Sequence, residues 1–162
     1  MHKKILLGGG VIVGILAWWL ISPIWRTIRL EEKLPTRPPK TETVLPGTTT
    51  TNPTLELSIT PRAPLIAQAH EVSGEALLIK NDQEEFLRFE NLKTINGPDL
   101  RIYLSADLKA NDFVDLGPIR ATEGSVNYTI PKGTDLNKYH YALIWCRAFG
   151  VLFSYAQFEP TT

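Results

Sequence analysis

The chain has 162 residues, with 17 Lys and Arg against 17 Asp and Glu, 12 prolines, 11 glycines and one cysteine. That length fits one ordinary domain plus accessories, and zero net charge gives no general pull toward nucleic acid or a charged surface. A single cysteine excludes an intramolecular disulfide, and with only three histidines a closed Cys and His zinc site is excluded too.

Residues 1–4 are a short N-terminal tail. The run 5–25 has no charged side chain, and at about 1.5 Å rise per residue it covers the roughly 30 Å of a bilayer core. It is expected to be a transmembrane helix. No small-x-small cleavage pattern follows it, so it reads as an uncleaved signal anchor. Lys3 and Lys4 precede it and Arg26 and Arg29 follow it, so charge alone does not settle orientation. Trp18, Trp19 and Trp25 fall where interfacial aromatics sit. Gly10 and Gly14 have the spacing that lets membrane helices approach closely, although glycine is common in such helices generally.

From 26 to 64 the composition turns to Pro, Thr and charge, as in TRPPK and LPGTTTTNPT. Proline removes donors and fixes φ, and short polar side chains bury too little apolar area to offset ordering entropy. The segment is expected to be an extended linker holding a folded domain off the membrane. Its first residues, 26–33, are open to prolonging the membrane helix, and Leu55, Leu57 and Ile59 alternate as in a short strand.

Residues 65–162 read as the folded part. Here nine Lys and Arg face thirteen Asp and Glu, which argues against a phosphate-binding surface and makes nucleic acid a poor partner. Leu77 and Ile79 match Leu87 and Phe89 across the polar NDQEE, predicting a hairpin. NGPD at 96–99 predicts a turn, with Gly97 free to take positive φ. Leu100, Ile102 and Leu104 then alternate with Arg101, Tyr103 and Ser105, and Val126, Tyr128 and Ile130 alternate with Asn127 and Thr129. The stretch 139–156, YHYALIWCRAFGVLFSYA, is apolar on both faces, as an interior strand requires. Gly150, its β-branched residues and its aromatics favour two strands joined near 147–150 over one buried helix. The expected fold is all-β, a β-sandwich or squat barrel of about seven or eight mostly antiparallel strands.

Cys146, beside the predicted turn, is the one nucleophile with a context. Its thiol has three readings: a small buried hydrophobe, a partner in an intermolecular disulfide, or a reactive group. Arg147 follows it and would lower its pKa only if the turn bends the chain there. His140 shares its strand parity but lies about 20 Å away along an extended chain at about 3.3 Å per residue. Trp145 is read as a core side chain before a redox relay. Haem through Cys146 or His70 stays open, but no C-x-x-C-H motif is present. Asp107, Asp112 and Asp115 lack the spacing of a calcium loop, and Glu84 and Glu85 read as turn solubilisers. No cofactor-binding or metal-binding residue is assigned. Asn127-Tyr-Thr129 matches an N-glycosylation acceptor. Ordinary hydrolase or transferase chemistry has no motif.

Several blocks in order, SGEALL at 73–78, FLRFENL at 86–92, NGPDLRIYLS at 96–105, LGPI at 116–119, YTIP at 128–131 and IWC at 144–146 with Phe149, Val151, Phe153 and Ala156, resemble the DM13 domain over about 70–159. The resemblance implies a small extracytoplasmic all-β domain engaged in electron transfer through a single cysteine, here Cys146. With the run 5–25 as a single-pass cell-membrane anchor, the Pro and Thr stalk and the location implied by the resemblance place the C-terminal domain on the extracytoplasmic side. With no DOMON-type domain in the sequence, the resemblance also implies a separate redox or cell-surface protein as partner. The competing reading is a non-enzymatic binding or adhesion module in which Cys146 is packing. An accessible thiol favours the first, and one sealed beside Ala142 and Ile144 favours the second.

Overall fold

The computed structural model describes residues 18, 27–35, 58–81 and 83–159. Apart from Trp18, the expected membrane helix lies outside them. Among the described residues no helix is long and apolar enough to cross a membrane.

The described strands are β1 (Arg29–Glu31), β2 (Ser58–Ile59), β3 (Ala63–Pro64), β4 (Ile66–Ala67), β5 (Val72–Lys80), β6 (Glu85–Thr94), β7 (Leu100–Ser105), β8 (Phe113–Pro118), β9 (Glu123–Ile130), β10 (Tyr141–Cys146) and β11 (Val151–Gln157). One sheet has the order β1-β9-β6-β5-β2, with β3 also on β5, and the other has the order β4-β11-β10-β7-β8. Only β1 on β9 is parallel. The molecule is an all-β sandwich. The long strands β5 to β11 match the expected seven or eight; of the short edge pieces, β2 falls in the alternation of Leu55, Leu57 and Ile59, and β1, β3 and β4 are too brief for local patterning to show.

Alternation places the core. Leu87 and Phe89 from β6 and Val126 and Tyr128 from β9 face Ile102 and Ile144 of the other sheet, all essentially without solvent exposure. This layer is the sandwich interior, made as the period-2 pattern requires. The predicted hairpins form: β5 pairs with β6 across 81–84, and β10 pairs with β11 across 147–150.

The segment 26–64 departs from a free linker along part of its length. Residues 29–31 are strand, not a helical prolongation, with Arg29, Leu30 and Glu31 beside Glu123, Gly124 and Ser125. The amides of Thr122 and Glu123 donate to the Ile28 carbonyl at 2.8 and 3.1 Å, and Glu32 N donates to Ser125 O at 2.8 Å. Gly124 makes the close approach possible. Its φ is +116°, and a Cβ there would stand 2.1 Å from the Leu30 carbonyl oxygen. Further on, β2 pairs with β5 through Ser58 and Ile59. Both ends of the Pro and Thr stretch are thus sewn into the same sheet, because edge backbone groups there gain partners that a solvated chain supplies only from water.

The docked segment is held by a polar cluster on the outer face of that sheet. Arg88, 6% exposed, donates to Glu90 at 2.9 Å, to the Glu32 carbonyl at 3.0 Å and to Asn127 Oδ1 at 2.8 Å. Arg62 adds a second cation to Glu90, and Arg120 pairs with Glu32. Chiefly through its hydrogen bond from Arg88, Glu90 is held below the usual carboxylate range. A nearly buried arginine needs this full set of acceptors, since an unpaired charge there is costly.

Candidate functional site

Cys146 closes β10, the strand flanked by β7 and β11. Its backbone lies opposite Leu100 on one side and Val151 on the other. Its parity puts the thiol on the core face with Ala142 and Ile144, and all three have no exposed surface. Of the two features that separate the competing readings of the thiol, the closed fold therefore has the sealed one.

Leu100 and Phe153 belong to the same core cluster as Cys146. Leu100 and Phe153 converge beneath Gly97, where an added Cβ would meet Leu100 at 3.1 Å and Phe153 at 3.2 Å. Gly97 was expected to supply positive φ and does not. Its role is to let the 95–99 loop lie close on these two side chains. His70 packs edge-on against Phe153, with ring centroids 4.2 Å apart.

Arg147 begins the turn after Cys146 and is fastened away from the thiol. Its amide donates to Asp99 O at 2.9 Å, and its Nε donates to Asp99 Oδ2 at 2.7 Å. That carboxylate raises the Arg147 pKa further above its ordinary value. The turn is thereby latched to the 95–99 loop, and its outermost side chain, Phe149, is 67% exposed.

The other residues singled out in the sequence do not join this site. His140 stands before β10 at the opposite end of the strand, its Nδ1 3.1 Å from the Lys138 carbonyl. Trp145 points to the other face of its sheet, half-buried, 6.5 Å from the Tyr103 ring, which stacks on Phe113 at 4.1 Å. His70 packs on Phe153. Among the described residues no three His, Cys, Asp or Glu side chains converge as a metal site.

The loop carboxylates have separate tasks. Asp107 caps the Lys109 amide at 2.6 Å, Asp112 binds Lys138 at 2.7 Å, and Asp115 binds Arg101 at 2.6 Å. Glu85 pairs with Lys80 at 2.9 Å, as a turn carboxylate would. Asn127, in the glycosylation pattern, spends its Nδ2 on the Lys33 carbonyl at 2.9 Å, so a sugar there would displace the docked segment.

Sequence reasoning missed Ser154. Its hydroxyl is fully buried on β11 opposite Ile144 and has no hydrogen-bond partner among the described residues. The signal was a lone polar residue between Phe153 and Tyr155 in an apolar run, which period-2 reading puts on one face or the other only once the register shift at Ile144 and Trp145 is known. It missed Arg88 as well, because an arginine between two core positions reads as solvated.

A family model described as Electron transfer DM13 matches residues 64–158. No curated protein and no solved structure matches the chain. The match covers more than half of the sequence, and the chain belongs to the DM13 family.

Proposed function

We propose that this chain is a membrane-anchored, extracytoplasmic electron-transfer domain at the cell surface, with Cys146 as its redox group and a separate redox protein as partner. The family match over nearly the whole sandwich is the observation that carries the reading. Two features of the site support it. The chain's only thiol sits at the very end of a strand rather than in its middle. The turn above it is held to its neighbour by one backbone hydrogen bond and one ion pair, that of Arg147 with Asp99. In the closed fold the thiol has no surface for exchange with a partner, so sulfur chemistry proceeds from a state in which that turn has lifted. The anchor is the run 5–25, whose length and lack of charge fit a bilayer.

The zero exposure of Cys146 favours a second reading, in which the thiol is packing and the domain is a non-enzymatic binding or adhesion module. Structural buried cysteines are inert. The rate at which Cys146 in the folded full-length chain reacts with a thiol reagent across pH, with Cys146→Ser as control, separates the two. Reaction without denaturation, with an apparent pKa below the free-thiol value of about 8.5, supports the redox role. Reaction only after denaturation sinks it and leaves the binding module.

A further inference from the structure

The strand registers place the Cys146 turn and the start of β1 at one end of the sandwich. Val72, Thr94, Glu123 and Arg29 lie at that end of the first sheet, and Leu100, Cys146 and Val151 lie at that end of the second. The loops 95–99 and 119–122 cross between the sheets there, tied by Thr94 N to Thr122 O at 2.9 Å and Ile119 N to Leu100 O at 2.8 Å. Because β1 runs parallel to β9, the chain arrives from its N-terminal side at this same end. Only residues 26–28 separate the apolar run from β1, a reach of about 10 Å when extended.

The side chains of this end suit its position. Ile28, Ile95, Phe149 and Val151 are exposed there at 40%, 39%, 67% and 37%. Two carboxylates of this end are neutralised: Asp99 by Arg147 at 2.7 Å and Glu123 by Arg29 at 2.9 Å. Lys93, His70, Glu71 and Arg120 also belong to this rim. The loops of the opposite end, 81–84, 106–112 and 131–140, are instead rich in Asn, Asp, Gln, Glu and Lys. Exposed aromatic and aliphatic tips beside a membrane anchor, with basic neighbours and most of the acidic ones paired, suit an interfacial contact.

We propose that the Cys146 end of the sandwich rests on the lipid bilayer, with Phe149 as its deepest contact. The inference rests on the membrane-anchored reading of 5–25. The domain then lies on the membrane rather than standing off it on a stalk. A redox partner reaches Cys146 from within the plane of the bilayer surface, while the polar loop end faces away.

The test uses the full-length chain in phosphatidylcholine vesicles, with the photoreactive analogue p-benzoylphenylalanine replacing Phe149 in one variant and Phe113, the exposed phenylalanine of the opposite end, in the other. Both keep native Cys146, and position 149 is exposed enough to leave the fold intact. Flotation of the vesicles reads the anchor, and mass spectrometry after illumination reads the contact. The expected result is a lipid adduct from position 149 and its loss at position 113. A protein that floats but gives no lipid adduct at 149, or crosslinks there to a second copy, overturns the docking and leaves the anchor standing. A protein that fails to float sinks the anchor and the docking with it.

Discussion

Replacing Gly124 by alanine tests whether β1 is a true edge of the sheet. The residue sits at φ +116°, and the added Cβ would fall 2.1 Å from the Leu30 carbonyl oxygen. That distance leaves no accommodation short of moving β1. Backbone strain at positive φ contributes about 1 kcal/mol or more. Displacing β1 breaks the amide bonds of Thr122 and Glu123 to Ile28 O and of Glu32 to Ser125 O, each worth about 0.5–1.5 kcal/mol net. The expected total is about 3–5 kcal/mol. Gly133→Ala supplies the control: its φ is +83° with nothing within 4 Å of an added Cβ, so it carries the strain alone. In urea, with m of about 1–3 kcal/mol/M, Gly124→Ala should lower the midpoint by about 1 M or more beyond the Gly133→Ala variant. Trypsin should also cut at Arg29 and Lys33 faster in the first variant than in the second. Equal midpoints and equal cleavage for the two would refute the claim that β1 is an integral strand.

Arg88→Ala should cost about 3 kcal/mol, because it strips Glu90, Asn127 and the Glu32 carbonyl of a shared donor in a nearly dry site; a midpoint unchanged in urea would show the cluster to be idle. Glu90 gives the same cluster a pH signature: its pKa is lowered from 4.5, so its contribution is complete above that value and is lost as pH falls through the lower folded value. Acid unfolding of Glu90→Gln should therefore be shallower than that of the parent. Tyr128 is pushed up to about 12, mainly by burial. The neutral phenol stabilises the fold fully below the free value of about 10, and that stability falls away as pH rises toward 12. Burial raises Tyr103 as well, so phenolate absorbance should show two late tyrosines with Tyr128 the later, and Tyr128→Phe should remove the last part of the rise. Asp99→Ala unlatches the 147–150 turn and should speed reaction of Cys146 with a thiol reagent by about 1.5- to 5-fold, the range of an exposed ion pair; an unchanged rate would mean that the turn does not gate the thiol.

Legibility in the sequence followed the range of the interactions. The β10 and β11 pair could be read because its partners are adjacent, its faces are both apolar and Gly150 marks the turn. The β5 and β6 hairpin could be read from two alternating runs across a polar stretch. β1 could not, since the partners Arg29 and Glu123 are 94 residues apart, and RLEE by itself is good helix sequence. Gly124 had a meaning only once the strand that crowds it was known. At the start of the linker three docked residues at 29–31 are too few to show a period, whereas the alternation of Leu55, Leu57 and Ile59 pointed to the short strand at 58–59. The parity of Cys146 gave its face correctly, but not its burial, because alternation names a side of the sheet and only the opposing layer decides whether that side is covered.

The position of the thiol constrains what electron transfer through it would require. Cys146 lies where three backbone segments meet: the 95–99 loop, the 147–150 turn and the first residues of β11. Gly97 lets the 95–99 loop lie close on Leu100 and Phe153. Because the turn hangs from Asp99, its lifting leaves the β5, β6 and β9 ladders of the other sheet in place. A redox group in the middle of β10 would need the central sheet opened to reach it. Placing the sulfur at the strand end confines the required opening to one hairpin tip, and that tip carries Phe149, the side chain we assign to the bilayer. Contact of Phe149 with lipid and opening of the Arg147–Asp99 latch are therefore mechanically linked. Membrane attachment should bias the same turn that covers the thiol, so Cys146 should react at different rates in vesicles and in detergent, and Asp99→Ala should shrink that difference.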